Sequence, residues 1–144
     1  MGTALQNSGH YVEAAQRFLE ARERFLVGSE NWAWATAWAF SMLTEEECAE
    51  VAKPEWWNDE GLKALSGRVL RAAPNDQVAN LMRAEVLYAS RGCRSWDAGP
   101  RSAAELEEAA AHFDRSAALT DAPALKAALA AAADECHSKA SLGL

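Results

Sequence analysis

Between Gly9 and Ala21 the chain reads GHYVEAAQRFLEA, and this stretch limits the possible folds more than any other. Tyr11, Ala14, Ala15, Phe18 and Ala21 recur at intervals of three and four, so on a helix they share one face while Glu13, Gln16, Arg17 and Glu20 turn away from it. A helix with such a stripe must bury it. Small residues at Ala14 and Ala21 on either side of Phe18 let another helix approach closely, which predicts a docking helix with Phe18 as its core knob. Gly9 is expected to break what precedes it and open a helix running to about Val27, with residues 3–8 forming at most one turn.

Composition points the same way. The chain has 144 residues, enough for one domain (1–144) with a real core, and 50% of them are apolar. Alanine is abundant and isoleucine is absent, a bias that favours helix over strand. A net charge of −7 leaves no basic stripe for a phosphate backbone and argues against nucleic acid. The odd, widely spaced Cys48, Cys93 and Cys136 make no disulfide framework and point to a reducing, cytoplasmic setting. No apolar run approaches the roughly 18 residues of a membrane span, and no signal pattern opens the chain.

The pattern carried by Gly9, Tyr11, Ala14, Phe18 and Ala21 resembles the second half of a tetratricopeptide repeat, a helix-turn-helix unit of about 34 residues. Val27-Gly28-Ser29 then leads into Glu30-Asn31-Trp32, as the turn and the Trp-bearing first helix of a following repeat would. About one and a half repeats match in order, and Ala109 with Phe113 echoes the Ala14–Phe18 spacing further on, with Ser116 where the next Ala would stand. The resemblance implies an all-α, right-handed stack of about three antiparallel hairpins with a C-terminal capping helix. Because residues 1–8 are too short for a partner helix, it also implies a piece of a longer array.

The remaining elements follow from their punctuation. Glu30 to Leu43 reads as a helix apolar almost all round: Trp32, Ala35, Ala39 and Leu43 share one face, and Trp34, Trp38 and Met42 a nearly opposite one. The second face is either packed on a neighbour or open as an aromatic groove. Thr44-Glu45-Glu46-Glu47 reads as a capping box opening a short helix to about Ala52, stopped by Pro54. The segment from Thr44 to Trp57 has no counterpart in a plain tetratricopeptide array and reads as an insertion. Asn58 or Asp59 caps a helix to about Ala73, Asn75-Asp76 caps one to about Arg91, and Gly92 closes it. Cys93 to Arg101 is the clearest loop, with Trp96 as its anchor. Ser102 to Glu105 is a second capping box, opening a helix with Leu106, Ala109, Ala110, Phe113, Ala117 and Leu119 inward. Pro123 opens the last helix, to about Lys139, lined by Leu125, Ala128, Leu129, Ala132 and Cys136.

The sequence carries no enzyme signature. His10, His112 and His137 lack a nucleophile in a suitable context, and neighbours such as Cys136 and His137 on a helix point about 100° apart. Glu108 and His112 could clamp an ion only with ligands from another helix, so neither metal nor cofactor is expected. The expected function is a non-catalytic scaffold that binds a protein or peptide in a groove lined by the first helix of each hairpin, 30–43 and 77–91. There Trp34, Trp38 and Phe40 would supply aromatic burial, and Asn80 and Arg83 polar contacts. The paired cations with which some tetratricopeptide proteins hold a peptide carboxylate are not recognisable. Two other readings are a bundle holding an apolar ligand in a Trp-lined cavity and an oligomerisation or accessory module of a larger protein.

Overall fold

The computed structural model describes residues 3–89 and 96–142, with side chains from residue 10 onward. Six α-helices make up the described residues, without a strand: α1 (Thr3–Arg24), α2 (Glu30–Leu43), α3 (Asp59–Ala72), α4 (Gln77–Tyr88), α5 (Ala103–Leu119) and α6 (Pro123–Ser141). A single 3₁₀ turn, Glu46–Cys48, follows α2. Helices adjacent in sequence pack on one another from α1 to α6, and α2 also reaches α4. The result is an all-α stack of helical hairpins.

Local chemistry sets most boundaries. The side chains of Ser29, Asn58, Asp76 and Ser102 each accept a hydrogen bond from a first-turn backbone N–H of α2, α3, α4 and α5, satisfying donors that have no intrahelical partner. At α5 the box is complete, with Glu105 returning to the Ser102 N–H at 2.9 Å. Gly28 turns the chain between α1 and α2 at φ +90°, a conformation that disfavours side chains.

Three expectations need correction. Gly9 does not open α1, which runs unbroken from Thr3; one glycine inside a helix costs only about 1 kcal/mol relative to Ala, too little to stop it. The helix ends at Arg24, leaving Leu26 and Val27 exposed beyond it. Thr44 is not an N-cap either: it closes α2, its hydroxyl donating to the Ser41 carbonyl at 2.7 Å, and the box expected from Glu47 does not form. The third concerns α4, which stops at Tyr88 with Ala89 left-handed at φ 52°. Gly92 and Cys93, expected at the helix end and in the loop, lie outside the described residues.

Two apolar clusters form the interior. One gathers Trp32, Phe40 and Leu43 of α2 with Leu62 and Val69 of α3 and Met82 and Val86 of α4; the other joins Leu87 to Phe113, Leu129 and Cys136. Leu119 and Leu125, expected inward, remain more than a third exposed because they sit at the two ends of the α5–α6 turn. Ser116 is fully buried, held by the side chain and carbonyl of Gln77 at 2.7 and 3.0 Å.

Candidate partner-binding face

Helix α1 turns two different sides to its surroundings. Ala15, with 1% exposure, and Leu19 pack inward against the first cluster. Tyr11, Ala14, Phe18 and Ala21, the other four residues of the opening stripe, are only half-buried and line an open cleft with Trp34, Trp38 and Met42 of α2. Phe18 is therefore not a core knob. It stacks on Trp38 (ring centroids 5.8 Å, planes 18° apart) and meets Trp34 edge-on (5.4 Å, 76°). Such contacts hold the aromatic side chains in fixed orientations.

The cleft has a volume of about 760 Å³, with His10 and Arg17 on its rim. Trp34 is 42% exposed. It also borders a second hollow of about 470 Å³ between Phe25 and the α3–α4 turn, where Glu30, Asn75 and Asp76 add polar groups. Helix α2 is covered elsewhere: Trp32, Ala33, Ala35, Thr36, Ala37, Ala39, Phe40 and Leu43 are buried, which leaves the Trp34–Trp38–Met42 strip as its open side. A contiguous apolar surface of this kind marks an interaction site more often than scattered exposed residues do.

The five residues expected to bind a partner do not come together. Trp34 and Trp38 share the cleft, whereas Phe40 is 1% exposed and faces the other way, packed on Trp57 (5.3 Å) and Trp96 (6.0 Å). The segment from Val51 to Trp57 and the loop around Trp96 fill the space that a groove at Phe40 would need. Asn80 is 2% exposed; its amide donates to the carbonyls of Pro74 and Asp76, and its oxygen lies 3.2 Å from His112 Nδ1. Arg83 is committed as well, donating to the Lys63 carbonyl, to Ser66 and to Glu108. Phe40, Asn80 and Arg83 thus hold the stack together and do not line the α1–α2 cleft. The residues that sequence reasoning missed are those of α1, whose stripe reads as buried because helical periodicity marks an apolar face without saying whether anything covers it.

Two of the polar features singled out in the sequence take part in packing and helix-to-helix contacts. Glu108 accepts from Arg83 at 3.1 Å and lies 3.2 Å from His112 Nε2, bridging α4 and α5 as a structural network. Cys48 and Cys136 are buried free thiols; burial raises both, Cys136 to about 11, so neither forms a reactive thiolate near neutrality. Among the described residues no group of three or more His, Cys, Asp or Glu side chains could hold a metal ion. No helix among them is long and apolar enough to cross a membrane.

Comparison of the chain with protein-family models, curated proteins and solved structures finds no match.

Proposed function

We propose that this chain is a non-catalytic protein-interaction module built from tetratricopeptide-like hairpins, and that it docks an apolar protein segment on the α1–α2 face. The observation that carries this reading is the aromatic strip of Phe18, Trp34 and Trp38, held edge-to-face and stacked beside an open cleft. Tryptophan anchors that are rigid before binding lose little side-chain entropy on docking, which is why such residues dominate interface energies. An open-sided cleft suits a helix or peptide better than a small apolar ligand, which needs most of its surface enclosed. Acidic surface and buried free cysteines fit a reducing, cytoplasmic setting.

Selection from a displayed random-peptide library tests the reading. The wild-type chain should enrich amphipathic peptides with apolar residues at helical spacing, and a Trp34→Arg variant of unchanged helicity should not. Enrichment that ignores Trp34→Arg, or none with either protein, would remove the α1–α2 face as the docking surface.

A further inference from the structure

Arg22, in the last turn of α1, is a positioned cation without a counter-ion. Its Nε donates to the buried hydroxyl of Thr36 at 2.9 Å, and its guanidinium carbon lies 5.7 Å from the centre of the Trp32 ring and 5.4 Å from that of Trp56. Such contacts hold a cation against the ring faces. Among the described residues no carboxylate comes within 4 Å of Arg22, and its two amino nitrogens make no hydrogen bond. Burial and the like charge of Arg68, which stands 5.3 Å from the same Trp32 ring, both work against the charged form. Charges withdrawn from water are ordinarily paired, so the free amino groups call for an anion.

Arg22 lines a hollow of about 460 Å³ between α1 and residues 52–56, with Leu19, Pro54 and Trp56 as apolar walls and Lys53 among the lining residues. Lys53 donates to the carbonyls of Cys48 and Val51 at 2.7 and 2.9 Å and keeps a third N–H. Glu23 and Glu55 also line the hollow, both exposed, so its own charges balance and Arg68 nearby tips it positive. That excess suits a singly charged ligand better than a dianion. With Nε taken by Thr36, the guanidinium offers the edge formed by its two amino groups, whose parallel N–H bonds match the two oxygens of a carboxylate. The far wall belongs to the segment between α2 and α3 that reads as an insertion.

From this fixed and unpaired guanidinium we propose that the hollow between α1 and residues 52–56 is a second binding site, which takes a carboxylate flanked by an apolar group. The carboxylate lies end-on to Arg22 with Lys53 as the second cation, and the apolar group rests on Leu19, Pro54 and Trp56. The site is separate from the α1–α2 cleft and stands or falls independently of it.

Titration of the full chain with 3-phenylpropionate, followed through the ¹H–¹⁵N signal of the Arg22 Nε–H, tests it. The signal should shift saturably. Acetate, the charged head alone, should bind about 10-fold more weakly or worse, and 3-phenylpropanol, the same body without charge, should leave the signal in place. A blocked tripeptide with glutamate between two phenylalanines separates the sources: a shift with this peptide alone assigns the carboxylate to a protein segment, and one with the free acid alone assigns it to a small molecule. Because Arg22 also braces α1 on Thr36, its replacement could disturb the fold, so the charge test falls on Ala52, an exposed lining residue outside regular structure. Ala52→Glu should weaken binding about 10-fold or more, whereas Ala52→Lys, of similar length, should not weaken it. No saturable shift with either carboxylate probe, an equal shift with 3-phenylpropanol, tighter binding of phenyl phosphate than of the acid, or equal weakening by the two Ala52 variants would each overturn the proposal.

Discussion

The carboxylate of Asp59, at the start of α3, meets the guanidinium of Arg101 at 2.6 Å, and this pair fastens three segments that are distant in sequence. Arg101 also donates to the carbonyls of Val86 and Leu87 in the last turn of α4, where the helix leaves acceptors unpaired. Asp59 accepts in addition from the Trp96 indole and the Gly99 backbone, both at 3.1 Å. The loop that ends at α5 is thereby pinned to the end of one helix and the start of another.

Removing one partner of so covered a pair strands the other. Asp59→Asn should cost about 2–4 kcal/mol in a urea titration, since the Arg101 side chain is only 6% exposed. Its pH dependence has a definite sign. Hydrogen bonds from Arg101 hold the Asp59 carboxyl well below its ordinary value of 3.8, so its contribution is full above that value and fades as acid protonates it in the unfolded chain first and the folded one later. Wild type and Asp59→Asn should therefore converge in stability as the pH falls below about 4. A difference that stays constant down to pH 2 would refute the charge pairing.

Phe18 and Phe40 provide a direct comparison of the two aromatic sites. Phe40 is enclosed by Trp57 and Trp96, and Phe40→Ala should cost about 3–5 kcal/mol, the range for emptying a buried aromatic site. Phe18→Ala keeps its inward neighbours Ala15 and Leu19 and opens onto solvent, so about 1–2 kcal/mol is expected. Equal losses in denaturant titrations would mean that the α1 face is covered within the monomer.

Much of the architecture is legible in the sequence where a local rule suffices. The N-caps at Asn58, Asp76 and Ser102, the Pro123 start and the anchoring of the loop by Trp96 all depend on residues within a few positions or on a single large side chain. The candidate site is less legible because it depends on what is missing. Trp34 and Trp38 read as a second α2 face, but their neighbour is Phe18, on a stripe whose periodicity alone reads as core. Phe40 reads as a groove residue because nothing local to α2 announces that Trp57 and Trp96 converge on it from 17 and 56 positions away. Asn80 and Arg83 look like free polar groups until the helices that satisfy them are in place.

Glu85 on α4 should make the fold less stable at neutral pH than in mild acid. Burial pushes its carboxyl up to about 7, and the nearby Glu45 adds to the rise. A raised folded-state value favours the protonated form, so stability is greatest below the ordinary glutamate value of 4.5 and falls as the pH rises through about 7. Glu85→Gln, which keeps the shape without the charge, should stabilise the protein by about 1–2 kcal/mol at pH 8 and change little at pH 4. Thermal unfolding at the two pH values gives the answer, and a benefit confined to pH 4 would reverse the argument.

Two glycines of α3 should respond oppositely to the same substitution. Replacing an interior helical glycine by alanine ordinarily stabilises by about 0.5–1 kcal/mol, because the unfolded chain loses freedom that the helix never uses. Gly67 meets that condition: an added Cβ would approach only the ends of the Arg83 and Arg71 side chains, at 3.6 and 3.7 Å. At Gly61 the same atom would lie 2.7 Å from the Trp56 carbonyl oxygen and 3.1 Å from the Asn58 oxygen that caps the helix. The first of these is backbone, held by a hydrogen bond from the Asn58 N–H at 2.9 Å, and it cannot yield without moving the turn that carries Trp56 and Trp57. Gly61→Ala should therefore destabilise by about 1–3 kcal/mol, the range for a forced backbone shift in a packed region. Urea midpoints moving up for Gly67→Ala and down for Gly61→Ala would locate the constraint in the Trp56 turn. Two upward shifts would show that this turn gives way freely and that Gly61 is needed for nothing beyond its own cap.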